Sequence, residues 1–448
     1  MMPRPLPAAR MRVAPGWWLA LVTLCAAGVF AGFAALQQAR GTLFRSDDPV
    51  GYYVYLRSLV HDGDLDFTND YAFFRQPDGS PPANFDRRDP VTGRPDNIYT
   101  VGVPLLAAPV YLAGNLVFRS YYPGDGAATF PLFLDQLLFS YGSLLWGFCG
   151  LWLTFKFVCS YFPPRESLAA TLAFWGCSPL LYYFAREPFE SHLAAVFAAS
   201  LLLSLWRLPS LPAAWRALLM GMAAGLLCIV RQQDIVVLLV PVGAALLARQ
   251  VRGVAWRTVL LFGIGFGAVF SIQMVVWHSL RGAFLTFSYR GAGFPNLAHP
   301  KLFEVLFSSN HGLLSWHPLI ALCLVGLVIL PRSAGALGPL ALACVGLELY
   351  VIGSWWSWWM GYSFGNRGFL GLTPLFVLGL AAVFVRIQRP WLRRVMALAV
   401  LLLFLWNVTL MLAYLAEMIP YEGTFSWWAL LHALPQLPAQ MLAKIHRL

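Results

Sequence analysis

Two adjacent aspartates, Asp47 and Asp48, follow directly after the first apolar segment, in the stretch Arg45-Ser46-Asp47-Asp48-Pro49. Neighbouring carboxylates repel each other, so one of them holds a proton more tightly unless a cation or hydrogen-bond donor is close. Such a pair suits a general base, or a ligand for a divalent cation such as Mg²⁺ or Mn²⁺. The structural alternative is a helix N-cap at Ser46 or Asp47, with Pro49 in the first turn. Both interpretations can hold, because a capping residue is also held still.

Three arginines lie at the ends of apolar segments: Arg186, Arg231 and Arg367. A guanidinium binds phosphate oxygens in pairs, so arginines gathered at a membrane edge would suit a lipid phosphate or pyrophosphate. Two other interpretations remain open. Each arginine could reach towards lipid headgroups, or the nearby acids Glu187, Glu190 and Asp234 could neutralise the arginines in structural ion pairs.

Aromatic and histidine side chains accompany these charges. The run Trp355, Trp356, Trp358, Trp359 and Tyr362 is typical of an interfacial aromatic belt, although aromatics beside a polar site also stack on sugar rings or isoprenoid chains. His192, His311 and His317 have no metal-ligand spacing, which favours ordinary hydrogen-bonded histidines. The aspartates of HDGDLDFTND lack the glycine and the closing glutamate of a calcium-binding loop, which favours a solvated loop there.

The elements that position these residues must span a membrane. Of the 448 residues, 59% are hydrophobic and only 11% are charged, against roughly 25% charged in a soluble domain. The apolar segments predict an all-α polytopic membrane protein with eleven spans, at 17–36, 130–155, 167–183, 190–206, 213–230, 234–248, 255–280, 313–330, 336–353, 366–385 and 392–416. Residues 101–118 contain Pro104, Pro109, Gly114 and Asn115 and could span, re-enter or lie on the surface. We expect a juxtamembrane or re-entrant helix there, because a further span would place the Arg-rich short loops outside. The seven cysteines lie in or beside apolar runs, with no metal spacing.

Basic residues decide the orientation, because cytoplasmic loops concentrate Lys and Arg. With eleven spans and an inside N-terminus, the inside segments hold 15 basic residues and a single acid, Glu166. The rest of the chain holds 16 basic and 19 acidic residues, 11 of the acids in the first outer loop, 37–129. We therefore expect one transmembrane domain over 1–416 in a bacterial inner membrane, a short outer tail at 417–448, and a working face that is extracytoplasmic. The net charge of +11 is then an orientation signal rather than evidence for a nucleic-acid partner.

Three short motifs join the acidic pair in a familiar order: YTVGVPLLAAPVY from Tyr99, REPFESH from Arg186, and WWMGYSFGNRGFL from Trp358. Together they resemble the GT-C superfamily of polyprenyl-phosphate-sugar-dependent glycosyltransferases, over about residues 17–416. Protein O-mannosyltransferases and lipid A aminoarabinose transferases are members. The chain departs from the family pattern at Asn366 and Val101, where proline is usual, and it has no large soluble C-terminal domain. These departures leave the donor sugar and the acceptor open.

The resemblance implies a glycosyltransferase that uses a polyprenyl-phosphate-linked sugar and an extracytoplasmic acceptor, and that inverts the anomeric centre. Asp47 or Asp48 would be the general base and Arg367 a phosphate ligand; Arg231 and Arg186 join Arg367 by our topology argument. Residues of the motifs are expected to bind substrate: Tyr99, Glu187, His192, Trp359, Tyr362 and Asn366. Metal dependence stays open, with Asp47 and Asp48 as the candidate ligands. The alternatives are a transporter or flippase of lipid-linked sugars, which would be expected to show internal repeats, and a non-catalytic membrane assembly partner.

Overall fold

The computed structural model describes residues 15–38, 41–44, 46–74, 85, 87–118, 131–247, 256–289, 291–330 and 334–447. Within these ranges the backbone is helical or irregular, and the described residues contain no β-strand beyond an isolated bridge between Arg88 and Pro95. This confirms the all-α fold class. Of the described helices, seven are long and apolar enough to cross a membrane, and four shorter apolar helices accompany them.

The longer helices, numbered in chain order, are α1 (Pro15–Gln37), α4 (Gly102–Phe118), α5 (Leu132–Cys159), α6 (Pro164–Cys177), α8 (Ser191–Trp206), α9 (Ala213–Val230), α11 (Trp256–Arg281), α15 (Leu337–Ser354), α16 (Thr373–Arg386) and α17 (Pro390–Leu415). The shorter ones are α2 (Asp47–Arg57), α3 (Thr68–Ala72), α7 (Leu180–Ala185), α10 (Leu239–Leu247), α12 (Leu302–Phe307), α13 (Leu313–Trp316), α14 (Leu319–Val328), α18 (Trp427–Ala433) and α19 (Leu437–Arg447).

Four segments predicted as single spans are broken near one end. α6 and α7 are separated at Ser178, and α13 and α14 at His317, each directly before a proline that cannot continue the preceding helix. The other two begin as tighter 3₁₀ turns, Gln232–Leu238 before α10 and Arg367–Leu372 before α16. Irregular backbone within a membrane is tolerated where it is buried in protein or lines a cavity. These breaks therefore indicate the part of the bundle in which to expect a functional site.

Glycines allow the helices to approach closely. A Cβ on Gly221 of α9 would lie 2.1 Å from the Phe262 carbonyl oxygen of α11, and one on Gly265 would lie 2.2 Å from the Leu218 carbonyl. Both distances are far below van der Waals contact. Small residues at such positions are the usual basis of helix association in lipid, so backbone proximity holds α9 to the mostly lipid-exposed α11.

The first outer loop folds onto the bundle through a buried carboxylate. Asp135, near the start of α5, accepts hydrogen bonds from the hydroxyls of Tyr53 and Tyr111, both at 2.6 Å, and from the Asn115 amide at 2.9 Å. His61 Nε2 lies 3.3 Å from the same carboxylate. Because these partners come from α2, from the turn after it and from α4, one side chain fastens both juxtamembrane helices to a span. The helix α4 matches the juxtamembrane segment predicted at 101–118, and whether it re-enters the membrane stays a prediction.

Candidate active site

Several helix ends meet around a cavity of about 890 Å³ at one end of the bundle. Asp48 enters from the first turn of α2 and His192 from the first turn of α8, while Arg231 directly follows α9. Arg367 opens the 3₁₀ turn that precedes α16. The cavity therefore receives its polar side chains from residues at or next to the ends of helices.

Asp48 has a donor on each of its carboxylate oxygens. The Tyr99 hydroxyl donates to Oδ1 at 2.6 Å, and Arg367 Nη2 lies 2.8 Å from Oδ2. Burial, together with the negative charge of Asp48, raises the pKa of Tyr99 well above its usual range, so the phenol stays protonated and remains a donor. The Asp48 side chain keeps 28% of its surface exposed. It is thus a carboxylate held in one orientation that still faces the cavity.

Arg367 bridges two carboxylates. Its Nη1 lies 3.6 Å from Oε2 of the buried Glu190, and its Nε donates to the Met360 carbonyl at 3.1 Å. These contacts hold the guanidinium in place where it lines the cavity.

Arg231 is held by a second set of buried groups. Its Nη1 donates to Nδ1 of His192 at 2.8 Å, and its Nε lies 3.8 Å from Oδ2 of Asp234. A guanidinium has no acceptor atom, so His192 must accept through Nδ1, which places the imidazole proton on Nε2. Behind this pair, Gln233 donates to Oε1 of the fully buried Glu348 at 2.7 Å. Arg231 and Arg367 thus present two oriented guanidinium groups to one cavity.

Aromatic side chains form much of the remaining wall. Tyr52 packs on Tyr99 with ring centroids 5.0 Å apart, and Tyr289 lies edge-on to Trp355 at 5.6 Å. Trp356 also lines the cavity. A cavity with one carboxylate, guanidinium groups and aromatic walls suits a ligand that is anionic at one point and has ring or chain surface to stack elsewhere.

Five of the eleven predicted site residues line the cavity, and the other six do not. Asp48, Tyr99, His192, Arg231 and Arg367 line it. The six that are not among its lining residues are Asp47, Arg186, Glu187, Trp359, Tyr362 and Asn366.

Each of the six has other surroundings. The Arg186 guanidinium lies over the Phe33 ring at 5.5 Å, and Glu187 accepts a hydrogen bond from the Tyr182 hydroxyl. Trp359 donates to Glu422, Tyr362 is exposed beside Tyr421, and Asn366 is buried and donates to the Trp358 carbonyl. Asp47 is the first residue of α2 and is partly exposed; Ser46 is the N-cap, although its side chain makes no capping hydrogen bond. The expected helix start is confirmed, with Pro49 in its first turn.

Four residues close to the site were absent from the predicted set: Glu190, Gln233, Tyr52 and Tyr289. The first two stand within three residues of predicted ones, so the motifs REPFESH and IVRQQD already pointed to them. Tyr52 is one helical turn after Asp48, a spacing that places both residues on one face of α2. Tyr289 lies in the irregular segment between α11 and α12 and carried no sequence signal.

A divalent cation has no evident set of ligands at this site. Among the described residues there is no group of three or more His, Cys, Asp and Glu side chains that could hold a metal ion. Around Asp48 the nearest polar groups are a guanidinium and a phenol, which are donors rather than metal ligands.

The fold and the site together define a multi-pass helical membrane protein with a polar cavity at one end of the helical bundle. No family model matches the chain, and no curated protein matches it in sequence. Two crystal structures do match in fold, both of ArnT from Cupriavidus metallidurans. The apo state has a TM-score of 0.53 at 13% identity and covers 97% of this chain and 74% of that one. The state bound to undecaprenyl phosphate has a TM-score of 0.51 at 13% identity and covers 96% and 76%. The fold predicted from the resemblance is confirmed.

Proposed function

We propose that the protein is an integral-membrane glycosyltransferase that moves a sugar from a polyprenyl-phosphate carrier to an acceptor hydroxyl. The observation that carries the proposal is the placement of one oriented carboxylate, Asp48, and two oriented guanidinium groups, Arg231 and Arg367, around a single cavity. Support for the carrier comes from the fold, since ArnT of the same architecture has been crystallised with undecaprenyl phosphate.

The reaction is a single displacement at the anomeric carbon. The acceptor hydroxyl gives its proton to Asp48 as its oxygen bonds to that carbon. The bond from the anomeric carbon to the phosphate oxygen breaks, and its electron pair leaves with the polyprenyl phosphate. Arg231 and Arg367 stabilise the negative charge that develops on this leaving group. Attack opposite the leaving group inverts the anomeric configuration.

Asp48 is a better candidate for the base than Asp47. Asp48 lines the cavity, and the hydrogen bond from Tyr99 orients it. Asp47 begins the same helix, but it is not among the residues that line the cavity. Successive residues of a helix point in directions about 100° apart, so adjacent aspartates cannot both face one ligand. The same argument makes Asp47 a matched control for Asp48.

The membrane and the side of the active site belong to the proposal as well. Basic residues gather in the loops at the opposite ends of the spans, between α8 and α9 and between α16 and α17. If these loops are cytoplasmic, the cavity opens on the extracytoplasmic side of a bacterial inner membrane. A carrier lipid in the outer leaflet would then present its phosphate at the depth of the helix ends.

Turnover of purified protein tests the reaction. Undecaprenyl-phosphate-linked sugars, including hexoses, pentoses and aminoarabinose, are incubated with envelope glycans or lipid A, and free undecaprenyl phosphate is measured. We expect release that requires the acceptor. Asp48→Asn should lower the rate by about 10² to 10⁴-fold, as expected for loss of a general base, while Asp47→Asn should retain most of it. Movement of the lipid between leaflets without release of undecaprenyl phosphate would instead identify a flippase.

Binding tests the arginines separately from the chemistry. Undecaprenyl phosphate is titrated into Arg231→Gln, Arg367→Lys and the control Arg186→Gln. A charge-assisted hydrogen bond contributes about 1.5–3 kcal/mol, so each cavity variant should bind about 10 to 100-fold more weakly. Arg186 does not line the cavity and its replacement should leave the affinity unchanged. Equal losses in all three variants would contradict the assignment, because they would indicate a general effect of charge.

A further inference from the structure

The last two helices expose an apolar surface that no part of the described chain covers. Trp428 of α18 and Leu442 of α19 are 72% and 59% exposed, and Leu431 and Ile445 extend the same surface. In contrast, Leu430 on the opposite side of α18 is buried. An exposed group of four large apolar side chains on two short helices requires a partner.

The two faces of α19 differ in chemistry. At about 100° per residue, Leu442 and Ile445 fall on one face, and Gln440 and Lys444 fall on the opposite one. A third side, with Leu437 and Met441, is partly buried towards the rest of the protein. Apolar and basic faces on opposite sides are the pattern of a helix that lies in a membrane interface.

The charge of this segment favours an anionic surface. From Ser426 to Leu448 the sequence contains Lys444 and Arg447 and no Asp or Glu. Within the part of the chain that the structure describes, Glu417, which lies outside the segment, forms an ion pair with Lys444. Basic residues next to an apolar helix face are attracted to anionic phospholipid headgroups.

The position of the helices also favours lipid over a protein partner. α19 packs on α17, and α17 is a span whose outer surface is largely exposed, for example at Leu402 and Leu405. The exposed face of α18 and α19 therefore adjoins a surface that must itself contact lipid. Trp428 is the residue type that is enriched at the level of the headgroups.

We propose that α18 and α19 form a lipid-binding surface that docks onto anionic phospholipid headgroups of the leaflet next to the cavity. The segment 417–448, expected from sequence to be a short outer tail, then acts as an interfacial anchor. This inference does not rest on the proposed glycosyltransferase activity, because its observations concern a different part of the chain.

The anchor is attached close to the site. Between α17 and α18, the backbone N–H groups of Gly423 and Phe425 donate to side chains of Asn310 and Ser309, at 3.2 and 3.0 Å. Trp427 then packs against Trp316 and Trp406. These contacts hold the anchor against the loop before α13. Protein contacts therefore set the position of the anchor relative to the cavity, and lipid contacts set its depth in the membrane.

Photocrosslinking in lipid tests the proposal. A benzophenone amino acid is placed at Leu442 and, as a matched control, at Gln440, which is also exposed but faces about 160° away. The full chain is reconstituted in vesicles of phosphatidylglycerol and phosphatidylcholine. We expect phospholipid adducts at position 442 and few at 440. Adducts to a second copy of the chain, or equal lipid adducts at both positions, would overturn the proposal.

The anionic preference is tested by the headgroup ratio in the adducts at position 442. One basic residue near an anionic surface changes lipid preference by about five-fold, so Arg447→Gln should lower the ratio of phosphatidylglycerol to phosphatidylcholine adducts by about that factor. The control Gln440→Asn should leave the ratio unchanged. An unchanged ratio in Arg447→Gln would overturn the charge part of the inference.

Discussion

Adjacent residues of the same type have different environments in this protein. Asp48 meets the Tyr99 hydroxyl and the Arg367 guanidinium in the cavity, while Asp47 begins the same helix outside its lining. The arginines differ in the same way, since Arg231 and Arg367 are held by buried acids and His192 whereas Arg186 lies over the ring of Phe33. The phosphate-ligand and the ion-pair interpretations of Arg231 and Arg367 are both compatible with the structure, because a guanidinium has five N–H donors and can hold an acid and a ligand together.

Tyr99→Phe tests how far orientation of Asp48 matters. The variant loses the hydroxyl that donates to Oδ1, and a hydrogen bond to a charged group contributes about 1.5–3 kcal/mol. We expect kcat to fall by at least about ten-fold, with unchanged affinity for undecaprenyl phosphate, because Tyr99 contacts the base and neither arginine. Tyr71→Phe is the control, since its buried hydroxyl donates to the Asp96 carbonyl elsewhere in the first loop. Weakened lipid binding in Tyr99→Phe would contradict the assigned role.

At the scale of elements, the site depends on where helices end and how closely they pack. Arg231 follows the last residue of α9, so the axial position of α9 sets the position of its guanidinium. That axial position is in turn held by the glycine contacts with α11. The backbones of α9 and α11 approach too closely to accommodate an added methyl group at Gly221 or Gly265. The packing of these glycines therefore affects the position of Arg231 in the cavity.

Gly221→Ala tests this link. A methyl group at 2.1 Å from the Phe262 carbonyl must push α9 and α11 apart, and overpacking of this kind costs about 1–3 kcal/mol. We expect a lower midpoint of thermal unfolding in detergent and weaker binding of undecaprenyl phosphate. Gly263→Ala in α11 is the matched control, because no atom lies within 4 Å of its added methyl group. If both variants unfold at the same temperature as the wild type, the helices are not held by this contact.

The buried His311 leads us to expect that the segment before α18 is less tightly attached at acidic pH. Its Nε2 donates to the Tyr421 carbonyl at 2.9 Å, and burial, aided by the positive charge of Arg367, lowers the pKa of His311 from 6.5 to about 4. The unfolded segment binds the proton more readily, so attachment is strongest above pH 6.5 and weakens as the pH falls towards 4. Hydrogen exchange of residues 421–425, corrected for intrinsic rates, should show less protection at pH 4.5 than at pH 7.

His311→Gln is the control for that measurement. A glutamine amide can donate from a position similar to Nε2 but does not titrate in this range. Protection in the variant should therefore change less with pH. An identical loss in both proteins would show that His311 does not carry the effect.

For the whole molecule, the distribution of charged residues and the position of the cavity indicate the same orientation in the membrane. The acidic first loop and the helix ends that line the cavity lie on one side of the predicted topology, and the basic short loops lie on the other. Two contacts connect the first loop to the bundle. Asp135 accepts a hydrogen bond from the Tyr53 hydroxyl, and Nη2 of Arg281 lies 2.6 Å from Oδ1 of Asp96. The loop is consequently part of the folded membrane domain.

Cysteine labelling in intact cells tests the topology. Ser210→Cys between α8 and α9 and Gln388→Cys between α16 and α17 should be protected from a membrane-impermeant maleimide until the membrane is permeabilised. Gly423→Cys, in the segment before α18, should react at once. The unsubstituted protein with its seven free cysteines measures the background. Immediate reaction at position 210 or 388 would reverse the orientation and move the cavity to the cytoplasmic side.

Much of the architecture was readable from the sequence because hydrophobicity is a local property. A run of about 20 apolar residues predicts a span whatever surrounds it, and the positions of α1, α5, α9, α11, α15 and α17 follow the predicted segments closely. The broken ends of four other spans were not predicted. Their 3₁₀ turns and interruptions depend on packing around the cavity as well as on proline.

The site was predictable only as a set of candidates. Sequence alone determined the membrane class, the charge asymmetry, and a group of aspartates, arginines and aromatics at helix ends. The tertiary structure decided which of them meet: Asp48 and not Asp47, Arg231 and Arg367 and not Arg186, together with Glu190 and Tyr289. The reason is physical, because hydrophobic patterning fixes a residue's depth in the membrane but not the direction of its side chain around the helix axis. That direction depends on contacts between residues more than a hundred positions apart, such as Arg367 with Asp48.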